Sequence, residues 1–482
     1  MKTNNSLSTN IILNICKTGS TLLFPLVSYM YVARIFGAEG YGHITFAKNI
    51  VWYFLMLAML GIYNYGVSEV ARVKDNKDQL NVLCTSLFII NVIAMMVSYC
   101  IMFLVIINSR KLLEYKSIML IYSIEIILQV IGMEWVYVAF EKFKYITIRT
   151  FVFQIVCIFL IIILVRKPSD ALIYVMIQVI ALAGSNIINF ICLKNAFSFV
   201  KVTAGDVFRH LKPVLLLFIM LMFVNIFRQM DTLMIGVMKG DKEVGLYAAG
   251  DKASSIISGV VSTISATLLP RIALLEGRKS EKELRQFIFD GLDLLLFVGV
   301  PTCIGIMVLA EPIVIILCGN DYLGAVLTTR ILSLRVILAP INSFFVISLF
   351  IPLRRFRDCL LVTGMAAIMD FVTNFMLIPK ISYNGAAIAT IMAEVVELAL
   401  LMAISKHLVS FQGLGKKFCM YILESIPIVI IWGCTSLSRI NVCLGAILVF
   451  FLSVIVYFGI QYRMKNKFVF TLLDKIGMHR QR

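Results

Sequence analysis

Ionisable side chains recur inside long apolar runs, spaced so that each shares a helix face with other polar residues. Asn14, Lys17, Thr18, Thr21, Pro25 and Ser28 line one stripe, as do Asp251, Ser254, Ser255, Ser258, Ser262 and Ser265. Asn225, Arg228 and Thr232 fall together, with Asp231 three residues from Arg228. Lys48 lies with Thr45, Asn49 and Trp52, and Glu125 with Tyr122, Gln129 and Gly132. Arg330 pairs with Ser333 while Arg335 is displaced to another face; Asp370 groups with Thr373 and Asn374, and Glu394 with Glu397. Two chemistries follow. Lysine and arginine attract phosphate oxygens, arginine as a two-pronged donor. Carboxylates held out of water exchange protons or coordinate a sodium ion. The expected contacts for a phosphate-bearing ligand are Lys17, Lys48, Arg228 and Arg330. The expected ion-coupling groups are Asp231, Asp251, Asp370 and Glu394. Each stripe also has a packing explanation: serine and glycine let membrane helices approach, and Arg228 and Asp231 can pair with each other. A charged group at the bilayer centre costs about 2.5–3.5 kcal/mol. So many of them, in both halves of the chain, point to a shared polar cavity.

The elements that hold these residues are set by composition. Hydrophobic residues make up 60% of the 482 and charged residues 15%, with mean hydropathy +0.95. Soluble domains run near about 45–50% apolar and about 25% charged. Lipid is therefore the solvent, and the fold class is an all-α polytopic membrane protein. One span takes roughly 20 apolar residues plus a connection, which gives about 14 spans. They fall near 11–35, 44–66, 80–107, 117–140, 145–165, 171–193, 213–238, 246–270, 287–310, 323–352, 359–379, 385–405, 419–437 and 442–462. The first is expected to be a retained span, because no small-residue cleavage site follows it. A basic, amphipathic connector at 195–212 separates six spans from six. The organisation expected is a bundle over 1–194, the connector, a second bundle over 213–406, and two further helices with a basic tail over 407–482. Two lobes around a midplane cavity suit alternating access.

The net charge of +17 sits in short breaks between spans, where it meets anionic headgroups and not nucleic acid. With the N-terminus placed inside, most lysines and arginines collect on the same side, so both termini are expected in the cytoplasm. The 11 cysteines and 4 histidines are scattered, with no CxxC, so neither a disulfide framework nor a metal site is expected. No glycine-rich phosphate loop is present, which argues against ATP hydrolysis. The outer loops near 108–116, 166–170, 239–245, 311–322 and 380–384 are short and carry no catalytic constellation, which argues against a membrane polymerase or ligase.

Several stretches resemble a known family. Tyr31 to Gly42 reads YVARIFGAEGYG, followed by Phe46-Ala47, Tyr53-Phe54, Gly61-Ile62 and Tyr65-Gly66. Asp231 to Gly236 reads DTLMIG and leads to VGLY at Val244 to Tyr247. Leu269-Pro270-Arg271 comes next, then Asn374, Leu377-Ile378-Pro379, GAAIAT from Gly385 to Thr390, and Glu394. The series resembles the polysaccharide flippases of the Wzx or O-antigen transporter type, within the multidrug/oligosaccharidyl-lipid/polysaccharide exporter superfamily. The resemblance implies two six-helix bundles forming a V, with two extra helices. It implies movement of undecaprenyl-pyrophosphate-linked oligosaccharide across the bacterial cytoplasmic membrane, for O-antigen, capsule or exopolysaccharide, beside a polysaccharide polymerase machinery. It also implies alternating access coupled to H+ or Na+, with no other cofactor. Lipid II flippases of the superfamily concentrate arginines on the first two helices, where this chain offers Lys17 and Lys48. The alternative is a cation-coupled multidrug exporter of the same fold.

Overall fold

Inside lipid no water is available to backbone amides, so a chain this apolar is driven to helices that close their hydrogen bonds internally. The computed structural model describes residues 7–277, 281–353, 355–406, 409, 411–437 and 441–476, and among them no strand occurs. The first helix, α1 (Leu7–Met59), runs through Pro25 and turns at Gly37, where φ is 64° and ψ is −179°. That positive φ is open to glycine without strain, so the break falls on the first glycine of GAEGYG and Pro25 does not end the helix. There follow α2 (Ile62–Val73), α3 (Lys77–Asn108), α4 (Arg110–Glu114), α5 (Lys116–Gly132), α6 (Glu134–Ala139), α7 (Phe143–Leu164), α8 (Ala171–Val179) and α9 (Asn186–Cys192). Next comes α10 (Ala204–Met238). Thr203 and Asp206 cap its start reciprocally: Asp206 N donates to Thr203 Oγ1 at 3.3 Å and Thr203 N to Asp206 Oδ2 at 3.0 Å. The later part of the 195–212 connector is thus the opening of α10 and leads straight into its span.

The remaining helices are α11 (Asp241–Gly277), α12 (Glu281–Val308), α13 (Ala310–Cys318), α14 (Ala325–Leu332), α15 (Arg335–Ser343), α16 (Phe356–Ser405), α17 (Leu414–Leu437), α18 (Val442–Arg463) and α19 (Lys467–Ile476). Among the described residues, eleven helical stretches are long and apolar enough to cross a membrane. Two of these, Phe24–Val73 and Phe356–Ser405, are 50 residues long, about twice a span. The first contains the turn at Gly37, and the second turns at Ile381 and Ser382, just past Pro379. Each supplies two crossings. With the 35 residues of α10, the fourteen spans of the sequence reading are recovered.

The chain packs as two units, Met1–Gly245 and Leu246–Arg482. The first has an apolar core around Ile62, Leu83, Leu87, Trp135 and Val136, and the second around Ile288, Leu295, Phe344, Phe350 and Tyr421. Outward faces are apolar as well: Ile93, Met96, Val97 and Leu104 on α3, and Phe450, Phe451 and Ile455 on α18, are exposed. A belt of that kind is at home against acyl chains. In the second unit a buried polar network ties the last helices to α12. Tyr421 donates to Asp293 at 2.8 Å, Lys417 and Lys467 each lie 3.6 Å from the same carboxylate, and Gln461 donates to Glu424 at 2.5 Å.

Candidate functional site

The strongest concentration of charge within the described spans lies in the second unit. The span Ala325–Phe350 is not a uniform helix. After α14 the backbone tightens, with Leu334 N bonding to Ile331 O, Val336 N to Ser333 O and Ile337 N to Leu334 O, all three residues apart. Such an overwound turn inside a span marks a hinge, and Arg335 sits on it as the first residue of α15. Its guanidinium bridges two other helices. Nε donates to Glu394 Oε1 of α16 at 2.9 Å, and Nη1 donates to Asp251 Oδ1 of α11 at 2.8 Å. Asn342, two turns along α15, donates to the Glu394 carbonyl at 3.1 Å and to Glu397 Oε2 at 3.3 Å. Two expected coupling carboxylates, Asp251 and Glu394, are thus brought together on an arginine that was not among the expected contacts.

Asp370 is buried on α16 and accepts from Asn374 Nδ2 at 3.0 Å. Nearer the other end of the same helix, Thr390 meets the Tyr247 hydroxyl at 3.3 Å. Arg330 lies outside the Arg335 cluster and is exposed. It lies on the helix face that also carries the exposed Leu323, Leu327 and Leu334. The serine stripe of α11 largely satisfies itself. Ser254, Ser255, Ser258 and Ser262 donate to carbonyls three or four residues back, while Ser265 donates to Pro340 O and Ser348 donates to Ser265 O. Ser265 therefore ties α11 to residues 340–348, as small polar residues do between membrane helices.

In the first unit Lys48 lies 5.8 Å from the centre of the Tyr122 ring, a cation–π distance. Tyr122 donates to Gln178, which in turn donates to Tyr174 at 2.9 Å. Asp231 is buried. The side chains of Lys17 and Arg228 lie outside the described residues. Two polar groups here were not anticipated. Arg149 is buried on α7 and donates to Glu134 at 3.0 Å. His43 Nδ1 lies 2.7 Å from Asp241 Oδ2, and Tyr115 donates to Asp241 Oδ1 at 2.6 Å. No local pattern signals such pairs, because their members are far apart in the chain.

A family model described as polysaccharide biosynthesis protein matches residues 7–276, more than half of the chain. The chain belongs to that family. A second model, MatE, matches residues 217–374. The chain is 24% identical over 412 residues to a protein of Escherichia coli (strain K12) named "Putative O-antigen transporter", covering 83% of this chain and 97% of the relative. A Shigella dysenteriae protein of the same name is 22% identical over 322 residues, covering 65% and 78%. Among solved structures, a lipid II flippase MurJ in an inward closed conformation superposes with TM-score 0.76 at 16% identity, over 94% of this chain and 99% of that one. An inward-facing multidrug resistance MATE family transporter of the MOP superfamily gives 0.59 at 13% identity, over 81% and 95%. The resemblance read from Tyr31 to Glu394 is to this family and superfamily, and the relatives found are transporters and flippases.

Proposed function

We propose that the protein is a flippase that carries undecaprenyl-pyrophosphate-linked oligosaccharide across the bacterial cytoplasmic membrane, with both termini in the cytoplasm. The observation that carries this reading is the match to the polysaccharide family over residues 7–276. The mid-span arginine held by carboxylates of two other helices supports it, because ionisable groups retained inside a membrane mark substrate or ion pathways. Lys17, Lys48, Arg228 and Arg330 remain proposed contacts for pyrophosphate or acidic sugars. Asp231 and Asp370 are proposed to handle the coupling ion, H+ or Na+, and Asp251 and Glu394 to act through Arg335. The protein performs no covalent chemistry in this reading, and a polysaccharide polymerase would take up the glycan it delivers.

The test is reconstitution into liposomes with lipid-linked oligosaccharide on one side. Flipping exposes the sugar to an impermeant lectin on the other side, and dissipating the proton or sodium gradient slows it. Efflux of an organic cation with no movement of the lipid-linked sugar sinks the proposal in favour of a drug exporter. If Asp231→Asn and Asp370→Asn keep the wild-type dependence on pH and sodium, the coupling assignment is wrong.

A further inference from the structure

The two carboxylates on Arg335 are not equivalent. The Glu394 side chain is 5% exposed, and its backbone carbonyl is pinned by Asn342. The Asp251 side chain, which accepts from Nη1, is 32% exposed. A guanidinium is a planar fork with five N–H donors, and carboxylate and phosphate oxygens fit it alike. Exchanging one anion for the other never leaves the arginine unpaired in apolar surroundings, so the costly state is avoided. Arg335 also sits on the overwound turn.

We propose that Arg335 is a further pyrophosphate contact, within the unit Leu246–Arg482, with Glu394 as its positioning residue and Asp251 as the carboxylate that competes with a phosphoryl oxygen for the same guanidinium edge. The proposal rests on the reading of the cargo as a pyrophosphate-linked lipid. The cluster sets Asp251 and Glu394 against Arg335, with Glu397 joined through Asn342. Removing the Asp251 charge therefore helps an incoming anion twice: it frees a donor and reduces repulsion. Loss of Arg335 removes the donor itself.

The experiment is equilibrium dialysis of radiolabelled inorganic pyrophosphate against the full-length protein in nanodiscs. Arg335→Gln is expected to weaken binding at least about tenfold, as loss of a hydrogen bond between charged groups does. The paired change Arg335→Gln with Glu394→Gln is expected to do the same while removing both charges of the more deeply buried pair, so that only the more exposed Asp251 loses its partner. Asp251→Asn is expected to tighten binding severalfold. A merely structural cluster moves all three variants the same way, so the opposite sign of the Asp251 effect is the signature. Unchanged binding in the paired variant, weaker binding in Asp251→Asn, or no binding by the wild type overturns the proposal. Where the paired variant does not elute as a folded protein, the direction of the Asp251→Asn effect decides. Failure here with wild-type flipping of lipid-linked sugar intact leaves the flippase reading standing, whereas organic-cation efflux alone removes both.

Discussion

A methyl group added at Gly42 probes how tightly the unit Met1–Gly245 closes around Asp241. An alanine Cβ there lands 1.7 Å from the Asp241 carbonyl oxygen and 2.8 Å from Gly245 N, while a Cβ on Gly245 lands 1.9 Å from the Ala38 carbonyl oxygen. All three obstacles are backbone, so no side-chain rotation relieves the clash. Carbon and oxygen sit comfortably at about 3.3 Å, so the two segments must part by roughly 1.5 Å. That shift breaks the 2.7 Å His43–Asp241 and 2.6 Å Tyr115–Asp241 contacts. Overpacking costs about 1–3 kcal/mol, and each lost hydrogen bond to a charged group about 1.5–3 kcal/mol. Since the terms overlap, Gly42→Ala should cost on the order of 3–6 kcal/mol. At about 2–4 °C per kcal/mol for a unit of this size, the melting temperature in one fixed detergent should fall by roughly 6–24 °C. Gly42→Ala with Gly245→Ala should cost less than the sum of the two, because both open the same contact. Gly259→Ala is the control: nothing lies within 4 Å of its Cβ, and replacing a helical glycine should raise stability by up to about 1 kcal/mol. A Gly42→Ala protein melting within about 2 °C of wild type would falsify the steric reasoning.

Three further outcomes are expected. Tyr421→Phe removes the donor to Asp293, which is 1% exposed; a loss of about 1.5–3 kcal/mol should speed proteolytic release of α19, and an unchanged cleavage rate would show that Lys417 and Lys467 suffice. Glu394→Gln or Arg335→Gln alone breaks a buried ion pair at about 3–5 kcal/mol, and a thermal-melting double-mutant cycle should show the paired variant losing much less than the sum. His210, in the connector ahead of the α10 span, is buried against Tyr65, and burial first and the neighbouring Arg209 charge second hold its pKa below the ordinary 6.5. The unfolded chain therefore takes up the proton first, so the stability held by neutral His210 is complete above about pH 6.5 and is lost as pH falls below it. His210→Gln should flatten the decline in melting temperature from about pH 7.5 to 5.5, and an equal decline in wild type and variant would exclude this histidine as its source.

The sequence by itself determined that lipid is the solvent, and hence that every long element is a helix: too few charged residues are present for water to tolerate the apolar surface. It also placed the break at the GAEGYG stretch, since glycine accepts the positive φ that a sharp turn needs, as at Gly37, and the ordered motifs named the family. Helical spacing found the faces that carry charge but not their partners. Asp251 and Glu394 stand 84 and 59 residues from Arg335, and His43 stands 198 from Asp241. Spacing along one helix says which residues share a face; it carries no information on which face of a distant helix lies opposite. Only the tertiary packing put Arg335, and not Arg330, between two carboxylates. It also set Ser265 of α11 against Pro340 and Ser348, contacts that serine spacing along one helix could not show.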